Sequence, residues 1–85
     1  MAEAELGKVA HYFSKIGVAA IAITHDTLRV GDTIHVKGHT SDFTQTIDSM
    51  QIDNHPVVEA VVGQSIGLRV KDHAREHDQV FKVVE

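Results

Sequence analysis

The stretch LRVGDTIHVK at residues 28–37 combines the two features that decide the fold, a tight turn and an alternating strand. Val30-Gly31-Asp32 has the composition of a turn, because glycine adopts a positive φ at little steric cost and aspartate hydrogen-bonds the neighbouring backbone. In Thr33–Lys37 the apolar Ile34 and Val36 alternate with polar residues, which is the period of a half-buried strand. The stretch therefore predicts a turn followed at once by a strand.

Short apolar runs separated by turn residues continue on both sides of this stretch. They predict six more strands, over residues 6–13, 17–24, 43–53, 57–60, 65–71 and 79–84. No stretch of eleven or more residues has the stripe of apolar positions that an amphipathic helix needs. Evenly spaced short strands are typical of β-sandwiches and barrels. We expect an all-β protein, a small closed six- to seven-stranded antiparallel β-barrel over residues 6–85, preceded by a flexible tail at residues 1–5.

Three positions predict irregularities in these strands. The apolar residues of the segment 43–53 change parity between Ile47 and Met50, so we expect a β-bulge near residues 48–49. Pro56 lacks a backbone N–H and predicts a break or an edge strand. Gly67 lies within a predicted strand, where glycine indicates a barrel corner or the close approach of another backbone.

Length and composition limit the classes of protein that this chain can represent. Its 85 residues correspond to one domain with a single modest core. The absence of cysteine excludes disulfides, thiolate metal sites and cysteine nucleophiles, and it fits a reducing compartment. A formal net charge of −4 argues against a non-specific nucleic-acid clamp. Without a basic, apolar leader or a long apolar run, we expect a cytoplasmic protein with no membrane contact.

Four motifs in register resemble the domain II barrel of translational GTPases such as elongation factor Tu and initiation factor 2. Residues 28–34 are similar to its x-L-x-x-G-D-x-I/V turn, and residues 36–38 to the x-V-x-G that follows. Residues 47–51 resemble its bulged strand, and residues 58–68 resemble its E-A-x-x-G-D-x-V-G-L strand. The order of the motifs agrees over residues 6–84. The chain is also similar to the small barrels fused at the ends of collagenase-like peptidases.

The first resemblance implies a non-catalytic binding module that docks on a ribosome, an RNA or a protein partner. The family's Arg/Glu-rich tRNA-binding loop corresponds here to the shorter segment 74–78, with Arg75 and Glu76. The chain lacks the G-x-x-x-x-G-K-[S/T] motif, so we expect neither GTP binding nor another cofactor. The second resemblance implies an accessory barrel subunit of a separately encoded enzyme, such as a collagenase-like peptidase. The oligomeric state stays open.

A candidate binding surface combines aromatic and basic side chains. Tyr12, Phe13 and Lys15 lie in or beside a predicted hairpin loop, and surfaces that bind single-stranded nucleic acid use such combinations, because bases stack on aromatic rings. Alternation places Arg69 and Lys71 on one face of a later strand, and Arg75 could extend the basic stripe. The alternative is structural, with a core Phe13 and a tyrosine whose hydroxyl reaches the surface.

The chain contains seven histidines, two pairs of which are four residues apart: His35 with His39, and His73 with His77. On a helix this spacing directs both rings to one metal ion, but on strands and loops it defines no geometry. Surface histidines and a histidine-rich metal-binding protein therefore both remain as interpretations. No serine lies in a G-x-S-x-G elbow, and we expect a protein that is not an enzyme.

Overall fold

The computed structural model describes residues 2–84, which form ten strands and no helix. The strands are β1 Ala2–Phe13, β2 Val18–Ile23, β3 Leu28–Arg29, β4 Thr33–Lys37, β5 Asp42–Thr46, β6 Met50–Ile52, β7 His55–Val57, β8 Glu59–Ala60, β9 Ser65–Arg69 and β10 Gln79–Val84. The expected all-β class is therefore confirmed.

Eight of these strands form one antiparallel sheet in the order β5-β4-β10-β1-β2-β9-β6-β7, and β3 pairs with β8 in a second, two-stranded sheet. The strands nearest the two chain ends, β1 and β10, lie in the middle of the large sheet and pair with each other. Within residues 2–84 the edge strands β5 and β7 do not pair with each other. Closure into a barrel thus stays a prediction.

A single hydrophobic core holds the two sheets together. It takes one face of each strand, as in β2, where Ala19, Ile21 and Ile23 are buried and the residues between them are only partly covered. The same core contains Phe43 from one edge of the large sheet and Met50 from near the other, so the sheet must curve around it. Each fully buried aliphatic side chain of this kind stabilises a fold by about 1.5–3 kcal/mol.

The turn at Gly31 and the strands β4 and β10 have the predicted positions. Gly31 has a φ of +99°, and Asp32 stabilises the turn by accepting a hydrogen bond at its Oδ2 from the backbone N–H of Arg29 at 2.9 Å. Pro56 lies in β7, an edge strand of the large sheet, as its missing N–H predicts.

The prediction of one bulged strand over residues 43–53 is wrong. The segment divides into β5 and β6, and residues 47–49 between them are not part of a strand. Ile47 leaves the ladder and bonds to the turn before β4, donating to the carbonyl of Asp32 at 2.8 Å and accepting from Gly31 at 2.9 Å. Ile47 and Met50 are both 1% exposed. The break between β5 and β6 therefore allows both side chains to be buried, which is the role that we expected a bulge to have.

Further differences concern the tail and the number of strands. Residues 2–5 were expected in a flexible tail, but they extend β1 and pair with β10 from Ala2 opposite Val84 onward; Met1 lies outside the described residues. The pairing of β1 shifts register between Glu5 and Gly7, so a bulge occurs there. The predicted strand 57–60 divides between β7 and β8, and the two residues of β3 were too few to produce a pattern.

Candidate binding groove

Three side chains from different strands stand side by side on the outer face of the large sheet. Phe13 of β1 pairs with Val18 of β2, and Val18 pairs in turn with Arg69 of β9. Phe13 is 46% exposed, although the chain has only three phenylalanines that could fill its core. Its ring meets the ring of His11 edge-on, with centroids 4.4 Å apart, and the exposed part of the ring can contact another molecule.

The neighbouring row on the same face contains small residues at its centre. His11 of β1 pairs with Ala20 of β2, Ala20 with Gly67 of β9, and Gly67 with Gln51 of β6. A Cβ atom added at Gly67 would have as its nearest neighbours only the Cγ1 of Val18 at 3.8 Å and the carbonyl oxygen of Gln51 at 4.0 Å. The close backbone approach expected at Gly67 is therefore absent, and the row forms a depression.

Ala20, Gly67 and Gln51 form the floor of an open groove of about 680 Å³, which Val18 and Arg69 also line, whereas His11 does not. The volume is within the size range of ligand-binding clefts. Phe13 and Ile16 line one side of the groove, and Asp53 and Asn54 line another part of its wall. Asp53 and Asn54 have φ values of +51° and +66°, because they form the two-residue turn between β6 and β7, for which Asn and Asp are suited. We call this feature the outer groove.

The structure brings together only two of the six residues of the predicted binding surface. Phe13 and Arg69 line the outer groove, and Lys15 is exposed in the turn beside it, next to Ile16. Tyr12 points the opposite way, as successive strand residues must. It packs against the core and is therefore the residue that fits the structural alternative, whereas Phe13 does not.

Lys71 and Arg75 belong to another part of the surface. The backbone N–H of Lys71 donates to the Oε1 of Gln45 at 2.8 Å, and neither residue lines the outer groove. Arg75 lines a smaller depression of about 280 Å³ together with His73, whose ring meets that of Tyr12 edge-on with centroids 4.6 Å apart. The predicted aromatic and basic stripe is thus divided between two places.

His35 bridges two carboxylates. Its Nδ1 lies 2.6 Å from the Oε2 of Glu3, and its Nε2 lies 2.5 Å from the Oδ1 of Asp42. The hydrogen bond to Asp42 raises the pKa of His35 above its ordinary value of 6.5, and Glu3 raises it further, while partial burial opposes both. The two carboxylates contact opposite edges of the ring, so they do not converge on a point where a metal ion could sit.

The other candidate metal ligands are dispersed. His39 is exposed in the loop after β4, and His77 donates its backbone N–H to the carbonyl of Val9 at 2.8 Å. Within residues 2–84, no group of three or more His, Asp or Glu side chains is arranged to hold a metal ion. The same residues contain no helix long and apolar enough to cross a membrane.

Sequence reasoning missed several residues of the outer groove. Ile16 is 57% exposed in a turn of otherwise small or polar residues, and an apolar residue in such a turn was a usable signal. Asp53-Asn54 between two apolar residues was a second signal, because Asn and Asp favour hairpin turns. The contribution of Gly67 to the groove floor depends on strand pairing and had no local signal.

Comparison with family models gives no match, but two curated proteins are similar in sequence. An uncharacterized protease of Methanocaldococcus jannaschii is 35% identical over 82 residues, which are 95% of this chain and 20% of the protease. A collagenase of Porphyromonas gingivalis is 32% identical over 78 residues, which are 91% of this chain and 22% of the collagenase. The chain therefore spans about a fifth of the length of these relatives.

Two crystal structures of the C-terminal domain of a Geobacillus thermoleovorans protein assigned as a U32 peptidase have the same fold. One superposes with a TM-score of 0.87 at 21% identity and covers 95% of this chain and 93% of that domain. The other has a TM-score of 0.83 at 22% identity and covers 89% and 95%. The comparisons support the resemblance to collagenase-like peptidases and not the one to translation factors. This chain has the fold of a peptidase C-terminal domain and is similar in sequence to segments of two proteases.

Proposed function

We propose that this chain is a non-catalytic accessory domain that acts together with a protease of the collagenase-like type. The observation that carries the proposal is the pattern of coverage. Nearly the whole chain aligns with each protease relative, but it accounts for only about a fifth of that relative. The larger remainder of each relative is the natural location for a catalytic site, and a domain that recurs beside it has a binding or positioning role.

The chemistry of the described residues supports a non-catalytic role. A nucleophilic serine needs an imidazole within hydrogen-bond reach as its base. The buried Ser41 donates instead to the backbone carbonyl of His73, at 3.4 Å. His35 has both ring nitrogens bonded to carboxylates, so neither nitrogen is free to accept a proton from a substrate or a nucleophile.

Docking on a ribosome or an RNA has weaker support. That expectation came from the resemblance to translation factors, whereas both curated relatives described above are proteases. It also relied on one aromatic and basic surface, and Lys71 and Arg75 do not line the groove that contains Phe13 and Arg69. A protein partner is therefore the better hypothesis.

The β3–β8 pair offers a surface for such a partner. Four exposed valines lie on or directly beside it: Val30, Val58, Val61 and Val62. The backbone N–H of Val30 donates to the carbonyl of Val58 at 3.0 Å, and Val58 is 76% exposed. Val30 and Val58 are therefore neighbours, and exposed apolar residues that lie together mark sites of protein interaction. We assign this valine patch to the contact with the protease.

A chimera tests the proposal. In the Porphyromonas gingivalis collagenase, the 78 residues that align with this chain would be deleted, or replaced by this chain. We expect the deletion to lower cleavage of fluorescent collagen at least about 10-fold, equivalent to 1.4 kcal/mol, and the replacement to restore much of it. The isolated chain should cleave nothing.

Two surface variants of the chimera complete the test. Val58→Asp should reduce the restored activity, because it places a charge in the valine patch. Thr44→Asp, which introduces the same charge at an exposed residue on β5, should not. Peptide cleavage by the isolated chain, or a chimera no more active than the deletion, would contradict the proposed function.

A further inference from the structure

We propose that the outer groove binds an extended peptide segment that carries an apolar side chain and, two residues later, a carboxylate. This site goes beyond the proposed function, because peptide binding by the groove requires no protease.

The floor of the groove contains a glycine that the sheet itself does not use. Glycine weakens a strand, and it is found within strands at bulges, at tight bends or where another group approaches closely. The pairing of β9 with β2 passes through Gly67 without a register shift, and Gly67 is not among the residues with positive φ. A Cβ atom there would meet only ordinary contacts. The space above Gly67 is therefore open to a ligand.

Gly7 shows the contrast. A Cβ atom added at Gly7 would overlap the carbonyl oxygen of Ala22, so the packing of β1 against β2 requires that glycine. Gly67 has no such requirement. Gly7 is therefore a glycine that the fold requires, whereas the missing side chain of Gly67 leaves room on the surface.

The wall of the groove supplies an apolar contact. Phe13 and Ile16 expose about half of their surface, 46% and 57% respectively, and both line the groove. They come from the end of β1 and the following turn, and they line the same groove as the small residues Ala20 and Gly67. A leucine-sized side chain on the floor would remove apolar surface of both residues from water, which favours binding.

The positive charge of Arg69 accounts for the second feature of the ligand, its carboxylate. Within residues 2–84, Arg69 and the nearby Lys15 form no ion pair, whereas Arg29 and Lys82 are paired with Glu59 and Asp32. A carboxylate beside Arg69 would complement this positive end of the groove. Asp53 also lines the groove, but at a different place. It follows β6, whereas Arg69 is the last residue of β9 and pairs with Val18, the neighbour of Phe13.

The dimensions suit a short extended peptide. The groove crosses β1, β2, β9 and β6, and three spacings of about 4.8 Å make about 14 Å, or roughly four extended residues. Alternate residues of an extended peptide point the same way, about 7 Å apart. An apolar residue on Phe13 and an acidic residue two positions later therefore face the groove together. Phe13 and Arg69 are two strand spacings, about 10 Å, apart, and the long side chain of Arg69 covers the remaining distance to the acidic residue. An open groove of this shape fits a chain better than a compact small molecule.

Titrations followed by NMR test the proposal. The full chain labelled with ¹⁵N would be titrated with acetyl-Gly-Leu-Ala-Glu-Gly-amide and with the same peptide carrying Lys in place of Glu. We expect shifts of amides around Phe13, Gly67 and Gln51. We also expect the Glu peptide to bind about 3-fold more tightly than the Lys peptide, which is the effect of an exposed ion pair.

Three variants sharpen the result. Gly67→Val fills the floor and should weaken both peptides by about 10-fold or more, the loss that follows from steric exclusion of a leucine-sized group. Arg69→Glu should reverse the preference between the two peptides. Arg75→Glu reverses a charge that does not line the outer groove and should change neither affinity.

The outcomes that overturn the proposal are equally specific. They are shifts confined to residues outside the groove, equal affinity of Arg69→Glu for the two peptides, or a folded Gly67→Val variant that binds as well as the parent. If Gly67→Val does not fold, Phe13→Ser takes its place, because Phe13 is exposed and its loss should weaken both peptides while the spectrum stays dispersed. Neither failure bears on the accessory role, which the collagenase chimera tests separately.

Discussion

At the scale of single residues, His35 shows how one side chain can connect distant parts of a sheet. Glu3 on β1 and Asp42 on β5 bond to opposite ring nitrogens of His35 on β4, and the ring also lies against Phe81 of β10, with centroids 6.2 Å apart. Both ring nitrogens can donate to carboxylates only when the imidazole is protonated. The arrangement therefore favours the charged form of His35.

The raised pKa of His35 predicts a pH dependence of stability. A pKa that is higher in the folded state than in the unfolded state contributes stability that is complete below the unfolded value of 6.5 and is lost as the pH rises through the folded value. Asp42→Asn should lower the pKa of His35 measured by NMR. It should also destabilise the protein by about 0.5–1 kcal/mol in urea unfolding at pH 5.5 and by less at pH 8.5. Equal losses at the two pH values would contradict this assignment.

Gly7 is crowded and Gly67 is open on its side-chain side, so we expect alanine substitutions at the two positions to have opposite effects on stability. Gly7→Ala places a methyl group against the carbonyl of Ala22 and should destabilise the chain by about 1–3 kcal/mol, as overpacking does. Gly67→Ala meets no close neighbour and should leave stability unchanged or raise it by about 0.5 kcal/mol, because glycine costs a strand more than alanine. Urea unfolding of both variants measures the difference, and a destabilised Gly67→Ala would show that the sheet needs that glycine.

At the scale of elements, residues 2–5 are the clearest departure from the sequence-based expectation. An acidic, Ala-rich start has no strand signal, yet residues 2–5 form part of a ladder with β10 and position Glu3 against His35. Deleting residues 1–5 should therefore destabilise the protein by about 2 kcal/mol, through the loss of several ladder hydrogen bonds. That loss corresponds to a fall in Tm of about 10 °C for a chain of this size. An unchanged Tm would restore the interpretation as a tail.

Alternation predicted elements well where one face of a strand is buried along its whole length. The bounds of β4 followed from it, because the buried Ile34 and Val36 alternate with more exposed residues along the whole strand. It could not distinguish a bulge from a break between Ile47 and Met50, because both devices shift parity by one residue. The break is decided by the bonds of Ile47 to the Gly31 turn, a contact that local sequence does not encode.

At the scale of the whole molecule, the candidate site was harder to predict than the fold. Tyr12, Phe13 and Lys15 were selected by proximity in sequence, but alternation turns Tyr12 to the core and Phe13 to solvent. The groove combines residues as distant in sequence as Phe13 and Arg69, and their position in one groove depends on the pairing of β1 with β2 and of β2 with β9. Composition could identify the candidate residue types, but the pairing of strands decides which of them meet.

The valine patch and the outer groove should act independently in the whole protein, since Val58 does not line the groove. Substitutions without shared partners are additive within about 0.5 kcal/mol. We expect Val58→Asp to reduce the activity of the collagenase chimera while changing peptide affinity less than about 2-fold. Gly67→Val should weaken peptide binding by the isolated chain about 10-fold or more without lowering the activity of the collagenase chimera. Loss of both functions in both variants, with the fold intact by NMR, would instead mean that one continuous surface contacts the protease and the peptide.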